Sequence, residues 1–292
     1  MNEEYWNTRL EHLKTTRELY FNEDYLEFLV KSVWKINKPV SIIDFGCGYG
    51  YLGLKLLPYL PKGSKYTGID QAERLIEAAK SIFLDLPYET EFFVADITNL
   101  EIQNKFDISI CHAVLLHVPN PKVILKKMMD ATLNRGKIIC LEPQKISNLS
   151  SYHLGGAKQS DIISLDLIQR IYEKDAEEGN IDRNIGVKVP IFLSELGVKN
   201  IECRTSDKVN FYHPNLDIDE RNRLFNALTV EGLGEVIPDK DLYTVELLKK
   251  GLTPEEIKKI YELDLLFSKK FNKDSIFINS PNIKIVYGDI FK

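Results

Sequence analysis

The sequence predicts an α/β protein built on a doubly wound, mostly parallel sheet, and three observations lead to this. Between Val40 and about Pro143, apolar strand-like runs alternate with helical stretches, which is the pattern of a parallel sheet covered by helices on both faces. Helix signals occur between the strands, since Asn120 and Pro121 are placed to begin a helix that Gly136 would end. The chain of 292 residues is 44% hydrophobic and 28% charged, which is ordinary for a globular protein.

The predicted elements follow one another in a regular order. The strands of the first half are SIIDF, KYTGID, EFFVAD, FDISICH and GKIICLE, and two later runs, VKNIECRTSDKVNFY and NIKIVYGDIF, are predicted as the final strands. Helices are expected over residues 4–34 (two of them), 147–184, 190–196 and 213–275. Within the last range, Thr253-Pro254-Glu255-Glu256 has the pattern of a capping box with proline at the first helical position.

Charge and cysteine content restrict the partners and the compartment. The net charge of −5 and the pI near 5.7 provide no overall basic field that would attract nucleic acid. The four cysteines form no C-x-x-C pair and lie in or beside apolar strand-like runs, which is typical of buried free thiols in a reducing compartment. The N-terminus is charged where a signal peptide is apolar, and no apolar run approaches the roughly 20 residues that span a bilayer. We therefore expect a soluble, cytoplasmic protein that contacts neither nucleic acid nor a membrane.

The most informative segment is the glycine-rich run SIIDFGCGYG over residues 41–50. A strand leads into a turn in which Gly46, Gly48 and Gly50 alternate with other residues, and a helix follows. Glycine allows positive φ and lets a ligand approach the backbone, while the amide dipoles of the following helix point at that ligand. This arrangement predicts a nucleotide-type site at the carboxyl edge of a parallel sheet. Residues 48–53 also satisfy G-x-G-x-x-G, the dinucleotide fingerprint, so a nicotinamide cofactor is an alternative.

Three aspartates end successive predicted strands beside this loop. Asp44 ends the first strand, Asp70 ends the second, 20 residues after Gly50, and Asp96 ends the third. An acid in the position of Asp70 can bind ribose hydroxyls. The Asp96 carboxylate can accept a hydrogen bond from an adenine amino group while Ile97 lies against the ring. Each aspartate alone could be a turn-forming residue at a strand end, and a nicotinamide enzyme would explain Asp70 but gives no reason for Asp44.

These segments resemble a known family. IIDFGCGYG, YTGID, FFVADITNL, FDISICHAVLLHV and NRGKIICLEP resemble the successive motifs of class I S-adenosylmethionine-dependent methyltransferases, most of all the small-molecule branch typified by ubiquinone and menaquinone biosynthesis methyltransferases. The resemblance implies a seven-stranded, Rossmann-like sheet whose last strand is antiparallel, with S-adenosylmethionine as cofactor and S-adenosylhomocysteine as product. It also implies the cofactor contacts: Gly46, Cys47 and Gly48 along the methionine part, Asp70 at the ribose, Gln71, Asp96 and Ile97 at the adenine, His112 near the sulfonium, and His117 beside the adenine or the sulfonium.

His117 is also a candidate catalytic residue. Methyl transfer is a displacement that depends mainly on positioning, and a general base is needed only if the methyl acceptor arrives protonated. His117 could be that base, although we favour packing against the cofactor. His112 and His117 are five residues apart and would not share a helical face, so no metal site is expected.

Further candidates follow the fifth predicted strand. Tyr152 and His153 could face the methyl acceptor as catalytic residues, or they could lie in a solvated loop. Arg183 could bind an acidic group of the substrate, or it could pair with Asp182 or Glu178 at the surface, which is the interpretation we favour.

Three parts are expected along the chain. An N-terminal helical lid would cover residues 1–36, the S-adenosylmethionine-binding methyltransferase domain would cover 37–212 and 281–292, and a helical insertion over 213–280 would cover the substrate. The insertion is long for the family and leaves the substrate open. The predicted function is transfer of the methyl group of S-adenosylmethionine to a small organic acceptor by in-line displacement. The alternatives are a methyltransferase of RNA or protein, an NAD(P)-dependent oxidoreductase and a non-catalytic cofactor-binding module.

Overall fold

The computed structural model describes residues 3–179, 181–234 and 239–292. Within these ranges the strands are β1 (Ser41–Phe45), β2 (Lys65–Asp70), β3 (Glu89–Val94), β4 (Phe106–His112), β5 (Thr132–Pro143), β6 (His153–Leu154), β7 (Lys199–Thr205), β8 (Asn210–Tyr212), β9 (Phe277–Asn279) and β10 (Ile283–Asp289). The α-helices are α1 (Glu3–Asn7), α2 (Leu10–Thr16), α3 (Glu23–Phe28), α4 (Tyr51–Leu56), α5 (Glu73–Phe83), α6 (Pro121–Ala131), α7 (Lys145–Ser150), α8 (Leu165–Glu177), α9 (Val189–Glu195), α10 (Ile218–Val230), α11 (Lys240–Lys249) and α12 (Pro254–Lys270).

Seven of these strands form a central sheet in the order β3-β2-β1-β4-β5-β10-β7. Strands β1 to β5 run parallel, and β10 runs antiparallel to both of its neighbours, β5 and β7. The predicted α/β fold, a doubly wound, mostly parallel sheet of seven strands, is therefore confirmed. The strand order reverses between β1 and β4, and at such a switch point the loops that follow the strands leave a crevice at the carboxyl edge. A ligand site is expected at that crevice.

Both faces of the central sheet are covered at its middle strands, because alternate residues of β1 pack under different helices. In β1, Ile42 belongs to an apolar cluster that includes residues of α3, α4 and α5. Its neighbour Ile43 belongs to a second cluster that includes residues of α6 and α9. Burying a side chain of this size contributes roughly 1.5–3 kcal/mol. The sheet is thus anchored on both sides and holds the loops at its carboxyl edge in fixed positions.

The helix that begins at Pro121 is shorter than predicted. It ends at Ala131, and Gly136 lies within β5 instead of ending the helix. A Cβ at Gly136 would lie 2.6 Å from the carbonyl oxygen of Asp107. Glycine is therefore required there by the close approach of β5 to β4, and its position after an apolar helix pattern imitated a helix end.

The N-terminal segment is more divided than the two predicted helices. Helices α1 and α2 are followed by a 3₁₀ turn over Arg17–Leu19, then by α3 and a π turn over Leu29–Val33. The break before α3 falls at Asn22, whose extended backbone is held by a hydrogen bond from its Nδ2 to Asp207 Oδ2 at 2.7 Å. Packing of short helices against the rest of the chain outweighs the continuous helical pattern here.

A second sheet, with three strands in the order β6-β9-β8, was not predicted. The run VKNIECRTSDKVNFY, predicted as one strand, forms β7 in the central sheet and β8 in the second sheet. The chain changes sheets after Ser206, whose hydroxyl donates to Pro281 O at 2.8 Å. The second sheet shares an apolar cluster with Leu19, α10 and α12, so this layer combines the N-terminal segment, β6 and the residues after 209.

The helices predicted within 213–275 are present as α10, α11 and α12. The capping box of α12 is complete, because Thr253 N donates to Glu256 Oε2 at 2.8 Å and Glu256 N donates to Thr253 Oγ1 at 3.3 Å. In the described ranges no helix is both long enough and apolar enough to cross a bilayer.

The cysteines are free thiols, and three of them, Cys47, Cys111 and Cys140, are buried as predicted. The prediction was wrong for Cys203, which is exposed. It lies on β7, the edge strand of the central sheet, where cover by neighbouring elements is incomplete.

Candidate active site

The glycine-rich loop joins β1 to α4 at the carboxyl edge of the central sheet. Its backbone is fixed to β2, because Gly46 N and Cys47 N both donate to Ile69 O, at 2.7 and 3.0 Å. Gly48 has a φ of +56°, and its N–H donates to Asp70 Oδ2 at 2.8 Å. A Cβ at Gly48 would meet no atom closer than 3.7 Å. The residue is therefore glycine for its backbone conformation, and the loop backbone stays accessible to a ligand.

A cavity of ≈ 280 Å³ adjoins this loop, and we call it the cofactor cavity. It is lined by all the residues that the family resemblance assigns to the cofactor: Gly46, Cys47, Gly48, Asp70, Gln71, Asp96, Ile97, His112 and His117. The ends of β1, β2 and β4 and the loop after β3 meet here, as expected at the switch point of a parallel sheet. The structure thus brings the nine residues together, and their contacts with a ligand stay a prediction.

Asp70 and Asp96 are oriented by nearby hydrogen-bond donors. Asp70 Oδ1 accepts from Ala72 N at 2.9 Å, and burial raises the pKa of this carboxyl although the N–H groups of Ala72 and Gly48 oppose the shift. Asp96 is exposed, and it accepts from Thr98 N at 2.8 Å. A carboxylate has about four lone-pair sites, so both acids can accept further hydrogen bonds on the cavity side.

Asp44 lines the cofactor cavity with an unsatisfied oxygen. It is 1% exposed; its Oδ2 accepts from Tyr66 Oη at 2.5 Å, while its Oδ1 has no hydrogen-bond partner among the described residues. Burial raises the pKa of Asp44 to about 7, the Tyr66 hydroxyl opposes this shift, and the charge of Asp70 adds to it. A buried carboxylate without a full set of partners is destabilised. A cation or hydrogen-bond donor bound in the cavity would remove that penalty.

The N-terminal segment closes part of the cofactor cavity through Trp6, Leu13 and Arg17. Arg17 is a cavity residue that sequence reasoning missed. Its guanidinium forms no ion pair within the described ranges, so its charge is available to an anionic ligand group. The sequence shows only an arginine after a helical pattern, which does not distinguish it from a solvated side chain.

His112 and His117 are packed among aromatic rings. His112 is 6% exposed and lies between 5.7 and 6.4 Å, centroid to centroid, from the rings of Tyr20, Phe21 and Tyr51. The ring of His117 is 5.0 Å from that of Trp6. Burial, followed by the charge of Arg17, lowers the pKa of His117 to about 3 and that of His112 well below its ordinary value. Both imidazoles are therefore neutral at pH 7.

Glu142 fixes the turn that carries His117. It is fully buried at the end of β5, and its Oε1 accepts from Val114 N at 2.9 Å and Leu115 N at 3.0 Å. Burial raises the pKa of Glu142 to about 7, and the two N–H donors oppose that shift. Val114 lines the cofactor cavity, whereas Glu142 does not, so Glu142 shapes the cavity through the backbone.

The remaining predicted catalytic residues, Tyr152 and His153, lie outside the cofactor cavity. Tyr152 lines a second cavity of ≈ 350 Å³. His153 is exposed on β6 and lines neither cavity, because side chains alternate along a strand and the buried position of β6 belongs to Leu154. The structure therefore gives no support for a catalytic role of His153.

Arg183 also lines the second cavity. The prediction that it pairs at the surface with Asp182 or Glu178 was wrong, because its guanidinium forms an ion pair with Asp175. Asp175 lies on α8, on the face of the helix that points toward Arg183.

Comparison with known proteins decides the family. Residues 36–184, about half of the chain, match the family described as "Methyltransferase domain". The chain belongs to this family. The match confirms the methyltransferase motifs found in the sequence, and with them S-adenosylmethionine as the cofactor.

Individual relatives of this methyltransferase-domain protein match only part of its length. It is 31% identical over 104 residues to a malonyl-[acyl-carrier protein] O-methyltransferase of Anoxybacillus flavithermus and 31% identical over 117 residues to a ubiquinone biosynthesis O-methyltransferase of Idiomarina loihiensis. These matches cover 36% and 39% of this chain and 39% and 46% of the two relatives. A putative methyltransferase from Bacillus halodurans shares the fold, with a TM-score of 0.51 at 12% identity over 93% of this chain and 99% of its own.

The cofactor cavity of this methyltransferase-domain protein suits S-adenosylmethionine chemically. Asp44 Oδ1 is a buried acceptor without a partner in the part of the chain that the structure describes, and the cofactor carries two cationic centres, an amino group and a sulfonium. Arg17 is a cation without an ion pair in the described ranges, and the cofactor carries a carboxylate. The open side of Gly48 leaves room for the cofactor beside the loop.

Proposed function

We propose that this chain transfers the methyl group of S-adenosylmethionine to a small organic acceptor. One observation carries the proposal: the cofactor cavity combines an accessible glycine loop with Asp44, Asp70 and Arg17, a cation that forms no ion pair among the described residues. Together these groups could bind a ligand that combines an amino acid, a ribose and a positive charge. Two relatives are named malonyl-[acyl-carrier protein] O-methyltransferase and ubiquinone biosynthesis O-methyltransferase, and these names support an organic acceptor.

The contacts that we propose divide the cofactor into three parts. The amino-acid part would lie along Gly46, Cys47 and Gly48, with its carboxylate at Arg17 and its amino group near Asp44. The ribose hydroxyls would donate to Asp70. The adenine would lie between Gln71, Asp96 and Ile97, with His112 and His117 closing the cavity beside the sulfonium.

In this proposal the chain acts by binding and orienting rather than by proton transfer. When bound, S-adenosylmethionine supplies a methyl group on a cationic sulfur: the acceptor's nucleophile bonds to the methyl carbon as the carbon–sulfur bond breaks, and S-adenosylhomocysteine leaves. Trp6 and His117 exclude water from that methyl group, and the buried sheet edge holds the cavity wall in place. His117 forms part of the cavity wall and does not act as a base, because an imidazole with a pKa of about 3 is a poor proton acceptor at neutral pH.

The proposal includes the three parts expected from the sequence. Residues 1–36 act as a lid, since Trp6, Leu13 and Arg17 line the cofactor cavity. The insertion over 213–280 covers the substrate, since residues of α10 and α12 border the second cavity. Free thiols and the absence of disulfides in the described ranges support a reducing, cytoplasmic location.

A labelling experiment tests the proposal against the alternatives. The protein is first titrated calorimetrically with S-adenosylhomocysteine and with NADPH, and we expect binding of the former only. It is then incubated with methyl-tritiated S-adenosylmethionine and three fractions of a cell extract: an ultrafiltrate of small molecules, total RNA and total protein. Label is expected in a small-molecule product of the ultrafiltrate that chromatography separates from unreacted S-adenosylmethionine. Label only in RNA or protein, label in no fraction, or binding of NADPH in place of S-adenosylhomocysteine would each favour a different alternative and contradict the proposal.

A further inference from the structure

The second cavity lies beyond the carboxyl end of β5, at the same edge of the sheet as the cofactor cavity. Its walls come from the N-terminal segment, from residues 145–183 and from the insertion. Several large apolar side chains line it, among them Leu149, Ile163 and Phe267. A volume of ≈ 350 Å³ lies within the range of about 300–1,000 Å³ that is usual for small-molecule sites.

Two contacts place this cavity beside the methyl-donor site. Tyr20 lines the second cavity, and its ring is 6.4 Å from that of His112, which lines the cofactor cavity. The backbone N–H of Asp182, the residue before Arg183, donates to the carbonyl oxygen of Leu116, the residue before His117, at 3.0 Å. The two cavities therefore adjoin where Tyr20 contacts His112.

A partly buried polar network forms one wall of the second cavity. Tyr20 Oη donates to Glu231 Oε1 at 2.6 Å, and Lys145 Nζ donates to the same oxygen at 2.5 Å. Although burial opposes it, the neighbouring Tyr20 and Glu231 raise the pKa of Lys145, so the lysine stays charged. About 30% of the Lys145 side chain remains accessible, and two of its three N–H groups have no partner among the described residues.

Hydrogen-bond donors are in excess on these walls. Besides Lys145, the hydroxyls of Tyr152 and Tyr172 and the side-chain amide nitrogens of Asn148 and Asn279 have no acceptor within the described ranges. The cavity-lining carboxylates offer only the second oxygens of Glu231 and Asp264 in return. A donor-rich, apolar cavity favours a ligand that carries oxygen lone pairs on an apolar body.

We propose that the second cavity binds the methyl acceptor and that this acceptor is a small organic acid whose anionic oxygens contact Lys145 and Tyr152. The inference rests on the proposed function, since it assigns the substrate of the same reaction. The apolar walls hold the body of the acid, and its nucleophilic atom faces the boundary formed by Tyr20 and His112. A carboxylate and a phosphate ester share this oxygen-anion chemistry, so the test compares both.

The test measures binding of three probes in the presence of saturating S-adenosylhomocysteine, which keeps them out of the cofactor cavity. The probes are benzoate, its neutral analogue benzamide, and phenyl phosphate. The variant Lys145→Met with Glu231→Gln removes the cation without leaving a buried charge unpaired, and glutamine can still accept from Tyr20. The matched control is Lys137→Met with Asp289→Asn, an ion pair between β5 and β10 with the same 2.5 Å separation and 30% accessible lysine.

We expect an anionic probe to bind at least about tenfold more tightly than benzamide, because a hydrogen bond to a charged group contributes ~1.5–3 kcal/mol and 1.4 kcal/mol is tenfold. The Lys145 variant should lose this preference, and the control should keep it, with unchanged affinity for S-adenosylhomocysteine in both. A preference for benzoate assigns a carboxylic acid, and a preference for phenyl phosphate assigns a phosphate ester. Equal binding of charged and neutral probes, or equal losses in the Lys145 variant and the control, would overturn the inference. Failure to bind S-adenosylhomocysteine would instead overturn the proposed function.

Discussion

The unsatisfied carboxylate of Asp44 makes cofactor affinity depend on pH in a predictable direction. Its pKa of about 7 in the free protein lies about three units above its ordinary value of 3.8, mainly because of burial. At about 1.36 kcal/mol for each unit, burial disfavours the ionised form by about 4 kcal/mol. The free energy of unfolding of the free protein therefore falls as pH rises from the ordinary pKa of Asp44 toward 7. A cation beside Oδ1 would reduce that loss.

The cofactor brings such a cation, so its binding should release a proton from Asp44 below pH 7. Affinity for S-adenosylhomocysteine, which keeps the amino group, should rise by up to about tenfold for each pH unit and level off above about pH 7. Between about pH 5.5 and about pH 7 the gain cannot exceed about 1.5 decades, because one proton is released and affinity changes by at most about tenfold for each pH unit. A smaller gain would mean that the carboxylate is only partly stabilised in the complex.

The assay is titration calorimetry from about pH 5.5 to about pH 8.5 in two buffers of different ionisation enthalpy, which gives both affinity and protons released. The control is Asp44→Asn, which cannot titrate but still accepts from Tyr66. Its affinity should be nearly independent of pH over the acidic half of the range. The reasoning is refuted if the unmodified protein shows no pH dependence or takes up protons, or if the variant retains the slope.

Three further predictions concern the same cavity. Asp70→Ala should weaken binding of S-adenosylhomocysteine by one to three decades in calorimetry, since hydrogen bonds to a charged group contribute ~1.5–3 kcal/mol each, and unchanged affinity would refute the ribose assignment. His117→Asn should raise the cofactor dissociation constant without altering the shape of the pH–rate profile; normal binding with turnover reduced by roughly two to four decades would identify a base instead. Hydrogen exchange in α1 and α2 should slow when S-adenosylhomocysteine binds. If exchange slows only in the glycine loop, these helices are not a lid.

The central sheet and the cofactor cavity could be predicted from the sequence because their signals are local. Each parallel strand carries apolar residues in a short run or in alternation, and the glycine loop and the acids at the strand ends stand beside these segments in the chain. The geometry at the carboxyl edge follows from the strand order alone, so Asp44, Asp70 and Asp96 were predicted to meet without knowledge of any distance.

The second layer could not be predicted because its contacts join distant segments. Strand β6 has two residues and pairs with β9, more than a hundred positions later, so neither leaves a periodic pattern. The same holds for the network in which Tyr20 and Lys145 both reach Glu231. Arg17 was missed for a related reason, since only the folded N-terminal segment shows that this side chain enters a cavity.

The composite origin of the second layer limits how substrate preference can be exchanged between relatives. Grafting residues 213–280 alone onto another member of the family would bring the helices α10 to α12 and strand β9. It would not bring β6 or β8, the two strands that pair with β9. The graft would also import Glu231 without the lysine and tyrosine that hydrogen-bond to it, leaving a buried charge unmatched. Recombination within this family should therefore preserve folding and specificity only when the N-terminal segment, residues 145–184 and the insertion are inherited together as one unit.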